Sequence, residues 1–428
     1  MTAPQIASIL IFVAVMGVII SEKMHRTTVA MIGACVVMLS GLLPFDEAVA
    51  NPSPMDLNTL AVLIGMMIFV AVAKESGLFE YAAIWAAKLA HGHPWRIMMF
   101  LIIVTAVLSA FLDNVTTVLL VGPMTFMLCR EMKTSPIPFF ISQIMASNIG
   151  GTATMIGDPP NIMIGSQSHY DFLDFLNYNA PIVIVILAVT IICFYFLYGR
   201  KLKVSPDDAR LLTQLDPGES IKSKPLFFKS IVMIILIIAA FLLHGSLGIE
   251  SGVVALSAGG VMLVIGRQDI EKIIHEVEWT TIGFFAGLFI IVGAMSHTGV
   301  LNMLAQELVH LAQGQEILAL VAVLVVSAVV SAFLDNIPFV AAMIPVLTSM
   351  GAMGIDVHPL WWGLSIGACL GGNGTLIGAS ANVVLSGISN KKGYPISFLK
   401  YMRVGFPLML VSVAIAGVYI VFRFHIAV

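Results

Sequence analysis

The sequence predicts an all-α polytopic membrane protein made of two related halves. Three observations predict this: the composition, the lengths of the apolar runs, and a duplication of two motifs roughly half a chain apart. Of 428 residues, 59% are hydrophobic and only 11% are charged, whereas soluble domains carry roughly 25% charged residues. The mean hydropathy is +1.00. These values exclude a soluble enzyme and a disordered chain, and a net charge of −3 leaves no basic footprint for nucleic acid. Cys35, Cys129, Cys193 and Cys369 are scattered through apolar runs and form no disulfide framework. Residues 1–20 lack a positive n-region and an A-x-A site, so they are expected to be a first span. Neither end carries a lipidation signature.

Apolar runs of about 20 residues can cross a bilayer as helices. Candidates fall at 3–20, 27–43, 57–74, 137–168, 180–198, 230–246, 250–266, 279–297, 359–389 and 404–424. Two more apolar stretches, 97–130 and 317–350, are each interrupted by Leu-Asp-Asn, at 112–114 and 334–336. The limbs beside each break are about 16 residues, or roughly 24 Å of helix, which predicts a re-entrant hairpin. Such tips are tolerated at membrane depth only when buried in protein or lining an aqueous cavity.

With ten crossings and two hairpins, one face collects 21–26, 74–96, 130–136, 199–229, 267–278 and 390–403. Those connecting segments hold 20 of the 21 Lys and Arg residues, and only Arg423 lies elsewhere. The positive-inside rule makes that face cytoplasmic and puts both termini outside a plasma or inner membrane.

The duplication is explicit. SAFLDN occurs at Ser109–Asn114 and again at Ser331–Asn336. Gly65, Gly77 and Pro123 match Gly287, Gly299 and Pro345 in the same register, an offset of 222. NIGGTATMIGDPPN (148–161) matches CLGGNGTLIGASAN (369–382) at an offset of 221. Each half holds five crossings, one of them discontinuous, plus a hairpin. The odd number makes the second half enter the membrane inverted, the build of secondary transporters. The halves are expected at 1–199 and 230–428, joined by a charged cytoplasmic linker at 200–229 that contains Lys203, Asp207, Asp208 and Arg210.

Three acids fall inside these stretches. Ionisable groups at that depth cost about 2.5–3.5 kcal/mol on insertion scales and usually mark an ion or proton path. Asp113 and Asp335 hold the hairpin tips, followed by Asn114 and Asn336, where free helix-end groups can meet polar solutes; as favoured N-caps they could also serve the helix alone. The Gly-, Thr- and Pro-rich motif predicts an unwound stretch between half-helices. It would offer Asn148, Thr152, Thr154, Asp158 and Asn161 in the first half, and Asn373, Thr375, Ser380 and Asn382 in the second. Asp158 is replaced by Ala379 in the second half, so it is the expected coupling acid, ahead of Asp113 and Asp335. No Lys or Arg is expected in the membrane core, which favours a small cation or a neutral hydroxylated solute over an anion. Cys369, at the start of the second motif, is a weak candidate for metalloid contact, against the ordinary reading of a buried packing thiol. His297 is a weaker candidate for coupling. No P-loop and no H-E-x-x-H is present, so an ATP-driven pump and an intramembrane metalloprotease lack their machinery.

At SAFLDNVTTVLLVGPM and NIGGTATMIGDPPNIMIGS the chain resembles the ion-transporter superfamily. That group includes arsenite permeases, one class of Na⁺/H⁺ antiporters, the P-protein branch and the dicarboxylate–sodium symporters. The DPPN run is most similar to the P-protein branch. The dicarboxylate branch carries Ser-Asn-Thr at its tips, where this chain has Leu-Asp-Asn. The resemblance implies two scaffold bundles and a mobile transport part of hairpins and broken helices, working by an elevator-like movement. The expected function is proton-coupled efflux of arsenite or antimonite, with a Na⁺/H⁺ antiporter as the alternative and an anion symporter or passive channel behind it. No enzyme activity and no cofactor are expected, only H⁺ or Na⁺ as coupling ion. The expected partners are a small inorganic solute and the lipid bilayer. A homodimer and a docking ATPase are left open.

Overall fold

A computed structural model describes residues 1–21, 23–49, 54–202, 204–205, 216–312 and 316–425. Among the described residues there is no strand, and the regular elements are helices. The first half runs α1 (Ala3–Ile20), α2 (Arg26–Leu39), α3 (Phe45–Val49), α4 (Leu57–Lys74), α5 (Leu78–Leu89), α6 (Pro94–Phe111), α7 (Asn114–Glu131), α8 (Ile137–Thr152), α9 (Pro159–Ser168), α10 (Phe172–Tyr178) and α11 (Ala180–Leu197). The second runs α12 (Lys224–Leu247), α13 (Ser251–Gly266), α14 (Ile270–Glu276), α15 (Trp279–His297), α16 (Val300–Ala312), α17 (Glu316–Phe333), α18 (Asn336–Ala352), α19 (His358–Gly371), α20 (Ser380–Lys391) and α21 (Phe398–His425). Eight of these are long and apolar enough to cross a membrane. Residues such as Leu10, Ile184, Phe228 and Val264 face outward, as a lipid-facing surface requires. Much of the linker, 203 and 206–215 with Lys203, Asp207, Asp208 and Arg210, lies outside the described residues.

The breaks fall where the sequence places them. The α6–α7 pair turns at 112–113 and the α17–α18 pair at 334–335, while α8–α9 and α19–α20 are separated by 153–158 and 372–379. Both hairpin turns are set by the same chemistry. Asp113 Oδ1 accepts the Thr116 backbone N–H at 2.9 Å and Asp335 Oδ1 that of Ile337 at 3.3 Å, capping the second limb. The bounds of the motif correct one detail. Asn148 and Thr152 lie in α8, and Asn161, Ser380 and Asn382 in α9 and α20, so only Thr154, Asp158, Asn373 and Thr375 of the proposed set are in the non-helical stretches. The two glycines before the first break serve close approaches: a Cβ at Gly150 would lie 2.1 Å from the Ala106 carbonyl oxygen of α6, and one at Gly151 2.4 Å from Asn114 Oδ1.

The connecting segments also hold helices that a search for 20-residue runs passes over. The segment Leu78–Leu89 buries Phe79, Ala83, Ile84, Ala86 and Ala87 on one face and exposes Trp85. Its counterpart α16 occupies the equivalent place in the second half. Each follows a glycine at positive φ, Gly77 (+84°) and Gly299 (+80°), a conformation that costs other residues.

The halves interleave reciprocally. Helix α4 of the first packs on α13 of the second, and α15 of the second on α2 of the first. Within each half the first hairpin limb packs on the leading half-helix, α6 on α8 and α17 on α19. The duplication therefore extends from letters to packing.

Candidate functional site

The site forms where both hairpin tips meet both broken helices. Its framework is built twice from equivalent hydrogen bonds. Ser109 Oγ donates to the Ser147 carbonyl and Ser331 Oγ to that of Ala368, each at 2.7 Å. Thr154 Oγ1 donates to the carbonyl of Ala110, and Thr375 Oγ1 to that of Ala332. Asn161 Nδ2 holds the carbonyls of Gly151, Thr152 and Thr154. Asn382 Nδ2 holds those of Gly372 and Thr375. A buried backbone group without a partner is costly, and these two amides satisfy the carbonyls released where the helices unwind.

Side chains then cross between the halves. Asn148 Nδ2 donates to Asn373 Oδ1 and Asn382 Oδ1, both at 3.0 Å. At the equivalent place Cys369 Sγ lies 3.4 Å from Asn161 Oδ1, which also accepts from Ser365 Oγ at 2.7 Å. Asn179, expected in a connecting segment, is fully buried and donates to the Thr152 carbonyl at 3.0 Å and to Ser365 Oγ at 2.9 Å.

The tips differ. Asn114 turns into its own half, accepting from Ser109 Oγ at 2.8 Å and donating to Asn148 Oδ1 at 3.3 Å. Asn336 reaches across and donates to both carboxylate oxygens of Asp158 at 3.2 Å. Asp158 is 1% exposed.

A cavity of about 20 Å³, room for a single water or small ion, is lined by Asp113, Asn114, Asp158, Asn336 and Ser380 together with Arg26 and Glu278. Asp335 lines an adjoining vestibule of about 550 Å³. Of the expected residues, Asn148, Thr152, Thr154, Asn161, Asn373, Thr375, Asn382 and Cys369 stand behind the cavity as its framework rather than among its lining. His297 is elsewhere: it pairs with Glu47 at 2.8 Å in a second vestibule of about 590 Å³.

Arg26 brings a cation to the site that the sequence does not place there. Placed by the sequence in a connecting segment, it begins α2 and its Nη1 lies 3.0 Å from Asp335 Oδ2. The same nitrogen donates to Ser380 Oγ, which donates to Asp335 at 3.1 Å, and the guanidinium stands 5.1 Å from the Phe284 ring centroid. Nothing in the sequence marks that reach, since a long side chain at a helix start is aimed by its neighbours. Glu278 was missed although a signal existed: Asp56-Leu-Asn-Thr and Glu278-Trp-Thr-Thr stand 222 residues apart, in the register of the duplication. In both, the acid stands at the N-cap position of a helix and accepts a threonine hydroxyl, from Thr59 at 2.7 Å and from Thr281 at 2.9 Å, and Asp56 also accepts the Thr59 backbone N–H.

Paired broken helices around a buried polar cavity, in an all-helical apolar chain, define a membrane transporter. Residues 16–367 match the family described as citrate transporter (CitMHS), and the chain belongs to that family, within the superfamily its motifs resemble. It is 40% identical over 427 residues to an uncharacterized transporter of Mycobacterium tuberculosis, covering 99% of both chains. It is 34% identical to the human P protein, covering 96% of this chain and 59% of that one. Its fold is similar to the YdaH transporter of Alcanivorax borkumensis, with a TM-score of 0.61 at 14% identity over 99% of both chains. It is also similar to Neisseria gonorrhoeae MtrF, described as illuminating a class of antimetabolite efflux pumps, with a TM-score of 0.59 at 9% identity, 99% of this chain and 95% of that one.

Proposed function

We propose that the protein is a secondary active transporter that exchanges protons for a small solute, with arsenite or antimonite as the exported cargo. The observation that carries this reading is Asp158, a buried acid whose oxygens are held by an amide from the opposite half. An isolated carboxylate at such depth is costly, and a proton or small cation is the companion that relieves it. The repeated hydrogen bonds and reciprocal packing support two halves of inverted topology, with hairpins and broken helices moving as one unit against the rest. The positive face of the chain supports a cytoplasmic opening beside Arg26, both termini outside, and a plasma or inner membrane location.

Charge selects among cargoes. The inner cavity joins Asp113, Asp158 and Glu278 to one guanidinium, and that one is paired with Asp335. A citrate-like anion, suggested by the family's description, finds no free cation there. A neutral hydroxylated metalloid acid finds carboxamides and carboxylates suited to its hydroxyls. The same acids favour Na⁺/H⁺ exchange as the second reading. The test is purified protein in proteoliposomes under an imposed pH gradient, offered arsenite, antimonite, Na⁺ and citrate separately. Gradient-driven movement of either metalloid supports the first reading, and Na⁺ alone the second. Transport of citrate alone would overturn the charge argument.

A further inference from the structure

Two vestibules enter the protein, and they share three equivalent positions of the two halves. The one of about 550 Å³ includes Glu278, Leu119 and Val384, and the one of about 590 Å³ includes Asp56, Ala341 and Met163. These are equivalent residues of the two halves, at offsets of 222, 222 and 221. Their connections differ. The Glu278 vestibule shares Arg26, Glu278 and Ser380 with the inner cavity, while the Asp56 vestibule shares no lining residue with it. The tip acid Asp113 lines the same small cavity as Glu278, whereas Asp335 is held by Arg26 and Ser380 and does not reach Asp56.

We propose that Asp335 changes partners between two end states, held by Arg26 and Ser380 in the one seen here and facing Asp56 in the other, so that Arg26 is a latch on one side only. The inference rests on the alternating-access reading above and adds to it the residues that distinguish the ends. Exchanging the roles of two related halves turns the Asp113–Glu278 relation into Asp335–Asp56. It cannot reproduce the latch, because the places of Arg26 and Ser380 fall on Gly248 and Pro159 in the other half. An ion pair present in one state alone biases the equilibrium by its differential free energy. Arg26 thus acts on transport through Asp335, as a positioning residue, and makes the two directions unequal.

The test reads vestibule access rather than transport. Val384→Cys and Met163→Cys, each in a Cys35→Ser, Cys193→Ser background, report the two vestibules through maleimide labelling rates in nanodiscs. Adding Arg26→Gln should raise the rate at Met163→Cys about tenfold, the shift that roughly 1.4 kcal/mol produces, and lower it at Val384→Cys. Arg26→Lys should restore much of the original pattern. Asp335→Asn, which removes the ion pair from its other end, should give the same opposed shifts if Arg26→Gln does not fold. Unchanged rates at both reporters, or a rise at both, would overturn the latch. Opposed shifts in a protein that moves none of the tested solutes would retain the latch and remove the cargo reading; unchanged rates in an actively transporting protein would remove the latch alone.

Discussion

The first half and the second half share a scaffold and divide the chemistry. Ser109 and Ser331, Thr154 and Thr375, Asn161 and Asn382 make the same hydrogen bonds at the same places. Three of the places where the halves diverge put a residue at the cavity: Asp158 stands opposite Ala379, Ser380 opposite Pro159, and Arg26 opposite Gly248. Asn336 and Asn114 are the same residue with different partners: Asn336 donates to Asp158 across the halves, and Asn114 donates to Asn148 in its own half. Duplicated positions hold the break in each helix open and supply the acids Asp113 and Glu278, while the unduplicated Asp158 and Arg26 make the site's charge unequal between the halves.

The largest effect should come from a duplicated packing position. A Cβ at Gly150 would meet the Ala106 carbonyl oxygen at 2.1 Å, and one at Gly371 that of Ala328 at 2.4 Å. Overpacking against backbone costs about 1–3 kcal/mol or more, so Gly150→Val and Gly371→Val should each abolish a sharp thermal transition in detergent. If only one of them does so, the scaffold is not equally shared.

A smaller and still symmetric loss is expected from Asn161→Ala and Asn382→Ala. Each strips the carbonyls of an unwound segment of their donor, at about 1–3 kcal/mol per unsatisfied buried group. Thermal unfolding should show both variants folded and destabilised, Asn161→Ala the more, since that amide spans three carbonyls and the Asn382 amide two. The reverse order would show that the second break carries more of the fold. The smallest effect should be that of Cys369→Ala. The thiol is fully buried beside Asn161 and Asp158 and outside the cavity lining, and Asp158 keeps its Asn336 donor without it, so transport of any accepted cargo should stay within about twofold of the wild type, a change of roughly 0.4 kcal/mol. Loss of metalloid transport with other cargo retained would return the thiol to the site.

The features legible in the sequence were those written locally. Leu-Asp-Asn breaks an apolar run because both polar residues favour capping over continuation, and the turns at 112–113 and 334–335 follow. Gly-Gly and Pro-Pro mark the first unwound stretch for the same kind of reason. Three features were written elsewhere. The reach of Arg26 to Asp335 depends on how α2 lies against the second hairpin, a tertiary fact with no local signature. Helices α5 and α16 are short, 12 and 13 residues, and earn no span from hydropathy. Glu278 and Asp56 are written in the duplication itself, at helix starts 222 residues apart and outside the two long motifs.

The central claim is that the acid without a twin carries the exchanged proton. The most direct test is Asp158→Asn in proteoliposomes, comparing pH-gradient-driven transport with downhill exchange of the same cargo. Asn keeps the size and much of the hydrogen bonding of Asp while losing its titration, and it caps a helix about as well. The account predicts that gradient-driven transport is lost, while folding persists and downhill exchange remains measurable. Gradient-driven transport at the wild-type rate would contradict it and leave Asp113, Asp335 or Glu278 to carry the proton.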